Sequence, residues 1–184
     1  MEPGAAYLDE ARRGFRGYKR LAEGAMAQVS DADFFALLDA EANSIALIVK
    51  HMTGNMHSRW TDFLTSDGEK PDRKRDTEFE IDSAGDTRES LMQRWEQNWQ
   101  LVFDAIAGLK PEDLERKIYI RGQEHTVLQG INRQLMHYAY HVGQIALLAK
   151  HARGAEWKSL SIPRGMSEQV GKQAELEHKK RREG

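Results

Sequence analysis

The sequence predicts an all-α protein, a four-helix bundle with a long connection between its second and third helices and minor short strands. In four long stretches of the chain, apolar residues recur three or four positions apart, which is the spacing of one helix face. Strand composition is confined to short segments, of which Lys117–Ile120 is the clearest. A chain of 184 residues has the usual size of one domain, so we expect a single domain over residues 1–167.

The first two predicted helices are separated by a cap signal. The first covers residues 5–29, and Ser30 and Asp31 mark its end and the N-cap of the next helix. The second covers residues 33–64, with a break near residues 38–40. The sequence therefore predicts two long helices joined by a short connection.

A charged connection follows at residues 66–86. It is long for a loop in a compact domain, and loops of this length are usually functional or mobile. Phe79 and Ile81 alternate with charged residues, which predicts a short extended piece at that point.

Two capping boxes define the remaining helices. The third predicted helix starts at Asp86-Thr87, where Asp86 and Glu89 fit a capping box. The fourth starts at the capping box of Thr126 and Gln129, and its apolar pattern then continues unbroken for several turns. Beyond the domain, residues 168–184 are predicted to form a polar, flexible C-terminal tail.

Composition excludes several classes of function. The chain has no cysteine, which excludes disulfides, thiolate zinc fingers, iron–sulfur clusters and cysteine nucleophiles. The net charge is −2, so the strong basic excess typical of nucleic-acid-binding domains is missing. The longest aliphatic run is the five residues from Ile45 to Val49, too short for a membrane span, and no signal peptide is recognised. We therefore expect no nucleic-acid or membrane partner and a cytoplasmic location.

The sharpest chemical feature is the pair His137 and His141. Histidines four residues apart on a helix project from one face, so that both imidazoles can reach one metal ion. Unrelated surface histidines share this spacing, and that alternative stays open. His51 is the best third ligand, although a histidine at the edge of the core that bonds a carbonyl explains it as well. Three histidines without a fourth protein ligand would leave one position for water or substrate, as in catalytic zinc sites.

The other four histidines need no function. His57 faces away from His51, and His125, His151 and His178 lie where surface, helix-end or tail roles account for them. Arg164 stands in a rigid turn after Pro163, which either presents the arginine to a site or is a plain surface turn.

Several segments together resemble one family. They are Asn43–Ala46, Lys50-His51, Gly54-Asn55, Ser58–Leu64, Asp67–Lys70, Arg75-Asp76, Glu78-Phe79, Ile131–Leu135, His137–Ile145 and Leu160–Gly165. Over residues 5–167 the chain resembles the DinB-like, or YfiT-like, superfamily of metal-dependent enzymes, which includes bacillithiol- and mycothiol-dependent enzymes. Within it, the chain is similar to a bacterial branch of unknown function.

The resemblance implies a four-helix bundle with a histidine triad that binds a divalent metal ion, with zinc or nickel expected. Mapped onto this chain, the triad is His51, His137 and His141. The resemblance also implies a homodimer. Further candidates for lining the site are Asn55, Arg133, Tyr138, Gln144 and Arg164, and packing explains Asn55 and Arg133 nearly as well.

The leading hypothesis is a metal-dependent enzyme that transfers a low-molecular-weight thiol to an electrophilic small-molecule substrate. The alternatives are a metal-activated hydrolase, a non-catalytic metal-binding or stress-response homodimer, and a protein that binds no metal. No catalytic residue is assigned from the sequence.

Overall fold

The computed structural model describes residues 2–183, and its secondary structure is almost entirely helical. In that range it contains one two-stranded sheet, three short 3₁₀ helices and six α-helices. The α-helices are α1 (Pro3–Met26), α2 (Asp31–Phe35), α3 (Ile45–Trp60), α4 (Arg88–Ala107), α5 (Val127–Arg153) and α6 (Ser167–Glu183), the strands are β1 (Lys117–Ile120) and β2 (Gln123–Thr126), and the 3₁₀ helices are Arg75–Phe79, Pro111–Glu115 and Gly154–Glu156. The predicted all-α class is confirmed.

The four long helices α1, α3, α4 and α5 meet in an aromatic cluster, to which each contributes one buried ring. Phe15 of α1 lies 5.8 Å from Trp60 of α3 and 5.7 Å from Tyr138 of α5, measured between ring centroids. Trp99 of α4 packs 5.5 Å from Tyr138. The indole Nε1 of Trp60 donates a 3.0 Å hydrogen bond to the Tyr138 hydroxyl. Edge-on contacts of this kind add to the apolar burial that holds helices together. The finer description as a four-helix bundle stays a prediction.

The predicted helix over residues 33–64 is two helices, and residues 36–44 between them are not helical. Ser30 caps α2 in a capping box with Asp33, as the cap signal at Ser30 suggested. The Ser44 hydroxyl accepts a hydrogen bond from the Leu47 amide and so caps α3. The helix that carries His51 is therefore a separate helix with its own N-cap, and not the continuation of α2 after a brief break.

Two local predictions before α4 were wrong, and one after it is confirmed. The capping box of α4 joins Thr87 and Ser90, not Asp86 and Glu89. The piece predicted to be extended at Phe79 instead ends the 3₁₀ helix Arg75–Phe79. The capping box of α5 is the predicted pair Thr126 and Gln129.

The predicted strand β1 has a partner that the sequence did not indicate. Strand β2 pairs with it in antiparallel register, with Ile118 opposite His125. Arg121 and Gly122 form the turn with positive φ angles of 55° and 70°, as a tight two-residue hairpin requires. The turn is held by Asp67, whose carboxylate oxygens accept the amides of Arg121 and Gly122 at 2.8 and 2.7 Å.

Residues 168–183 of the predicted polar tail lie in helix α6, whose residues 167–182 are exposed, and residue 184 lies outside the described residues. Flexibility of this segment and the boundary at residue 167 stay predictions. Across residues 2–183, none of the helices has both the length and the apolar character needed to cross a membrane.

Asp86 joins α3 to α4, and its replacement by asparagine is expected to lower the free energy of unfolding at pH 7 by about 1–3 kcal/mol. The buried carboxylate accepts a 2.7 Å hydrogen bond from Lys50 and a further one from Arg94. Burial by itself would raise the pKa of Asp86, but the hydrogen bonds from Lys50, Arg94 and the Asp82 amide outweigh it and hold the pKa below its usual value. Urea unfolding of both proteins measures the difference.

The pH dependence of that difference has a defined sign. A carboxylate whose pKa is lower in the folded state stabilises the protein above its unfolded pKa, and this contribution is lost as the pH falls through the folded pKa. The gap between wild type and Asp86→Asn should therefore shrink below about pH 4. Asp72→Asn, at an exposed position, is the control. A gap that stays constant down to acid pH would contradict the role of the charge.

Candidate metal centre

Two of the three predicted ligands lie one turn apart on α5. The Nε2 atoms of His137 and His141 are 3.1 Å apart, and both side chains are partly buried. Tyr138, between them in the chain, is fully buried in the aromatic cluster. Because Tyr138 anchors α5 in the core, the backbone of its neighbour His137 is held in place at the edge of that core.

The third predicted ligand reaches them from α3. His51 is 4% exposed, and its Nε2 lies 3.4 Å from the Nε2 of His137. Three ligand nitrogens, one from each histidine, lie within 4.8 Å of one another. Nitrogens that share a tetrahedral zinc ion at 2.0–2.1 Å lie about 3.3–3.4 Å apart. The cluster of His51, His137 and His141 could therefore hold a metal ion.

Hydrogen bonds on the far side of two of the rings orient these nitrogens. The Nδ1 of His51 lies 2.8 Å from a carboxylate oxygen of Glu78, and the Nδ1 of His141 lies 2.8 Å from the amide oxygen of Gln144. Both oxygens accept, so each Nδ1 carries the hydrogen and donates it. The lone pair is then on Nε2 and points into the cluster. Metal-binding histidines are characteristically held by such outer partners.

The electrostatics keep two of the imidazoles neutral. Burial, followed by the neighbouring His141, His51 and two arginines, lowers the pKa of His137 to about 3. Burial also lowers the pKa of His141 to about 4, against an opposing effect of the bond to Gln144. Neutral imidazole is the form that binds metal, so both side chains are in the required state near pH 7.

Glu78 reaches His51 because the connection between α3 and α4 folds back over α3. Arg73 binds the Glu78 carboxylate through two nitrogens, at 2.8 and 2.9 Å. The carboxylate lies directly against Gly54, where an added Cβ would be 2.3 Å from its Oε1. The ring of Phe79 stacks on His51 at 4.9 Å between centroids. Two residues of the charged connection, Glu78 and Phe79, thus contact His51, and Arg73 holds Glu78 in place.

A cavity of about 400 Å³ opens beside the histidines, and His51 and His137 form part of its wall. Its other lining residues are Asn55, Gln134 and the arginines 59, 73, 75, 121 and 133. They come from α3, the charged connection, the hairpin turn and α5. No acidic residue lines this cavity in the part of the chain that the structure describes.

The other predicted site residues fall into two groups. Asn55 and Arg133 line the cavity, and Gln144 holds His141. Tyr138 instead belongs to the core, where it bonds Trp60, although its ring lies 5.7 Å from that of His137. Arg164 lies on an exposed segment and is not part of the cavity wall.

Four histidines lie outside the cluster. His57, His151 and His178 are exposed, and His125 is partly buried in β2. None of them belongs to the group of three that could hold a metal.

Several residues of this site were not predicted from the sequence. They are Glu78, Gln134 and the arginines 59, 73, 75 and 121. The available signal was the length and charge of the connection at residues 66–86, which indicated a functional loop without saying which of its side chains turn inward.

A known protein family matches most of the chain. A protein-family model described as "Protein of unknown function (DUF1572)" matches residues 2–166. The matched range includes all three histidines and every residue that lines the cavity, and it stops before α6. No curated protein matches the chain.

Proposed function

The chain belongs to the DUF1572 family, whose function is unknown, and we propose that it is a metal-dependent enzyme in which His51, His137 and His141 hold a divalent ion. One observation carries this proposal: three imidazole nitrogens converge at ligand spacing, and two of the three histidines, His51 and His137, form part of a cavity wall. No fourth histidine, cysteine or acidic residue of the described chain joins the group, so one coordination position is left for a substrate or water.

The chemistry follows from an open site of this kind. When bound, such an ion lowers the pKa of a water or thiol ligand and makes it a nucleophile near neutral pH. The chain's own residues prepare the site. Glu78 and Gln144 fix the rings of His51 and His141, and Phe79 covers one face of His51. The arginine-lined cavity holds the rest of the substrate next to the histidines.

The proposed reaction is transfer of a low-molecular-weight thiol to an electrophile. The chain has no cysteine, so any thiol in the chemistry arrives as a cosubstrate. The resemblance to the DinB-like superfamily, with its thiol-dependent enzymes, supports the same choice. A metal-activated hydrolase is the second candidate, because the polar lining of the cavity admits water to the same position.

Metal analysis and a thiol-transfer assay test the proposal together. Untagged protein should contain about one divalent ion per chain. Metal-loaded protein should conjugate glutathione, bacillithiol or mycothiol to monochlorobimane, and protein stripped with a chelator should not. Protein that takes up no ion after incubation with zinc or nickel would contradict the metal site. Bound ion without turnover of any thiol would contradict the transferase and leave the hydrolase or a non-catalytic metal-binding protein.

Four more specific expectations rest only on the family resemblance or on the amino-acid composition, and they stay predictions. They are zinc or nickel as the ion, the homodimer, the cytoplasmic location and the membership of the DinB-like superfamily.

A further inference from the structure

The hydrogen bonding of the cavity wall is incomplete. Among residues 2–183, six buried side-chain nitrogen or oxygen atoms have no hydrogen-bond partner. Four of them belong to residues that line this cavity: Asn55, Arg59, Gln134 and His137. Leaving a buried polar group unpaired is costly, and native proteins contain few such groups. Most of the unpaired polar atoms in the described chain are therefore found in side chains around this cavity, although the atoms themselves are shielded from solvent.

The charge of the wall specifies the kind of ligand. Five of the nine lining residues are arginines. Three of them pair with the carboxylates of Glu69 and Glu78, which are not part of the lining. Counted over five guanidiniums and two carboxylates, the positive charge exceeds the negative by three. Guanidinium forks match carboxylate and phosphate oxygens in geometry as well as in charge.

Two of these arginines are free to bind a ligand. Arg75 and Arg133 form no ion pair with any residue in the range 2–183, whereas Arg59, Arg73 and Arg121 all contact Glu69. Arg133 lies four residues before His137, so both side chains project from the same face of α5. Arg75 lies against the Phe79 ring, which in turn stacks on His51. The two guanidiniums therefore approach the histidines from two separate elements.

We propose that this cavity binds a small-molecule substrate that carries at least two anionic groups, carboxylates or phosphates, and that Arg75 and Arg133 are the specificity-determining residues. The inference rests on the proposed function in one respect: the anionic groups would hold the reacting end of the substrate beside the three histidines. A volume of about 400 Å³ suits a metabolite and excludes a folded partner. The overall charge of −2 likewise disfavours a polyanion spread over the surface.

Calorimetric titration of the full chain, both stripped of metal and loaded with zinc, tests the proposal. The probes are succinate and fructose 1,6-bisphosphate, with succinamide and fructose as their uncharged counterparts. Each anionic probe should bind at least about tenfold more tightly than its own uncharged counterpart, and the affinity should fall as salt is added. The ratio for each pair shows whether carboxylates, phosphates or both are recognised.

Variants connect the binding to the two free arginines. Arg75→Gln and Arg133→Gln should each weaken binding of the anionic probes about tenfold, because each removes a charge-assisted hydrogen bond, and both should keep the metal content of wild type. Arg116→Gln, at a surface arginine paired with Asp113, should change neither property. Anionic probes that bind no better than their uncharged counterparts, or binding that survives both substitutions, would overturn the proposal. Arginine-dependent binding to a chain that takes up no metal would refute the enzyme proposal and leave the anion site standing.

Discussion

Replacing His137 with alanine is expected to reduce bound metal from about one ion per chain to background. His137 is central to the cluster, since its Nε2 lies 3.1 Å from that of His141 and 3.4 Å from that of His51. Without it, two imidazoles from different helices are left. Replacing a residue that only hydrogen-bonds a ligating histidine typically weakens metal binding 10–100-fold. Replacing a ligand itself should therefore weaken it by more than about 100-fold. Elemental analysis and competition with a chromophoric chelator measure both quantities.

The matched control is His151→Ala, which removes an exposed histidine from the same helix. Its metal content should equal that of wild type. Circular dichroism and thermal unfolding of the metal-free proteins separate loss of the ligand from loss of the fold. If His137→Ala unfolds, His141→Ala serves as the second variant, because its side chain is also only partly buried. A folded variant of either kind that keeps its full metal content would show that the ion lies elsewhere.

The histidines were predictable because their arrangement is mostly local. The spacing of His137 and His141 is a property of one helix, and a helix needs only its caps and its apolar face to be recognised. Thr126 and Gln129 supplied that cap as predicted. His51 required a contact between two helices, but its place in the middle of a helix, one turn after Leu47 and Ile48, made it the best candidate for the third ligand.

The rest of the site depends on the charged connection at residues 66–86, and the spacing of apolar residues in the sequence does not predict the path of such a loop. Glu78 lies 27 positions from His51 and reaches it because the connection docks on α3 at Gly54. The connection is also fixed to the hairpin, where Asp67 accepts the amides of the turn and the Tyr119 carbonyl accepts the Gly68 amide. Such contacts depend on the relative placement of distant elements, so a row of charged residues in the sequence could not show which of them face the histidines.

Replacing Glu78 with glutamine is expected to weaken metal binding 10–100-fold while the fold is kept. The ionised carboxylate accepts the hydrogen of His51 Nδ1 and the two nitrogens of Arg73 at the same time. Burial by itself would raise the pKa of Glu78, but the bonds to His51 and Arg73 outweigh it and lower the pKa, so the group is charged near pH 7. An amide has one acceptor oxygen in place of two and no charge, which weakens its hold on the ring. Chelator competition measures the affinity, and Glu80→Gln, at an exposed position, is the control.

Gly54→Ala tests the same link without altering any polar group. The added methyl would lie 2.3 Å from Glu78 Oε1, so the carboxylate has to move away from Gly54. We expect this shift to disturb its hydrogen bond to His51 and to lower the metal affinity, as Glu78→Gln does. Because both substitutions act through one hydrogen bond, the double variant should lose no more affinity than the more severe single variant, as for residues that share one interaction. Losses that instead add in full would mean that Gly54 supports α3 independently of Glu78. Wild-type affinity in Glu78→Gln would show that the carboxylate does not position His51.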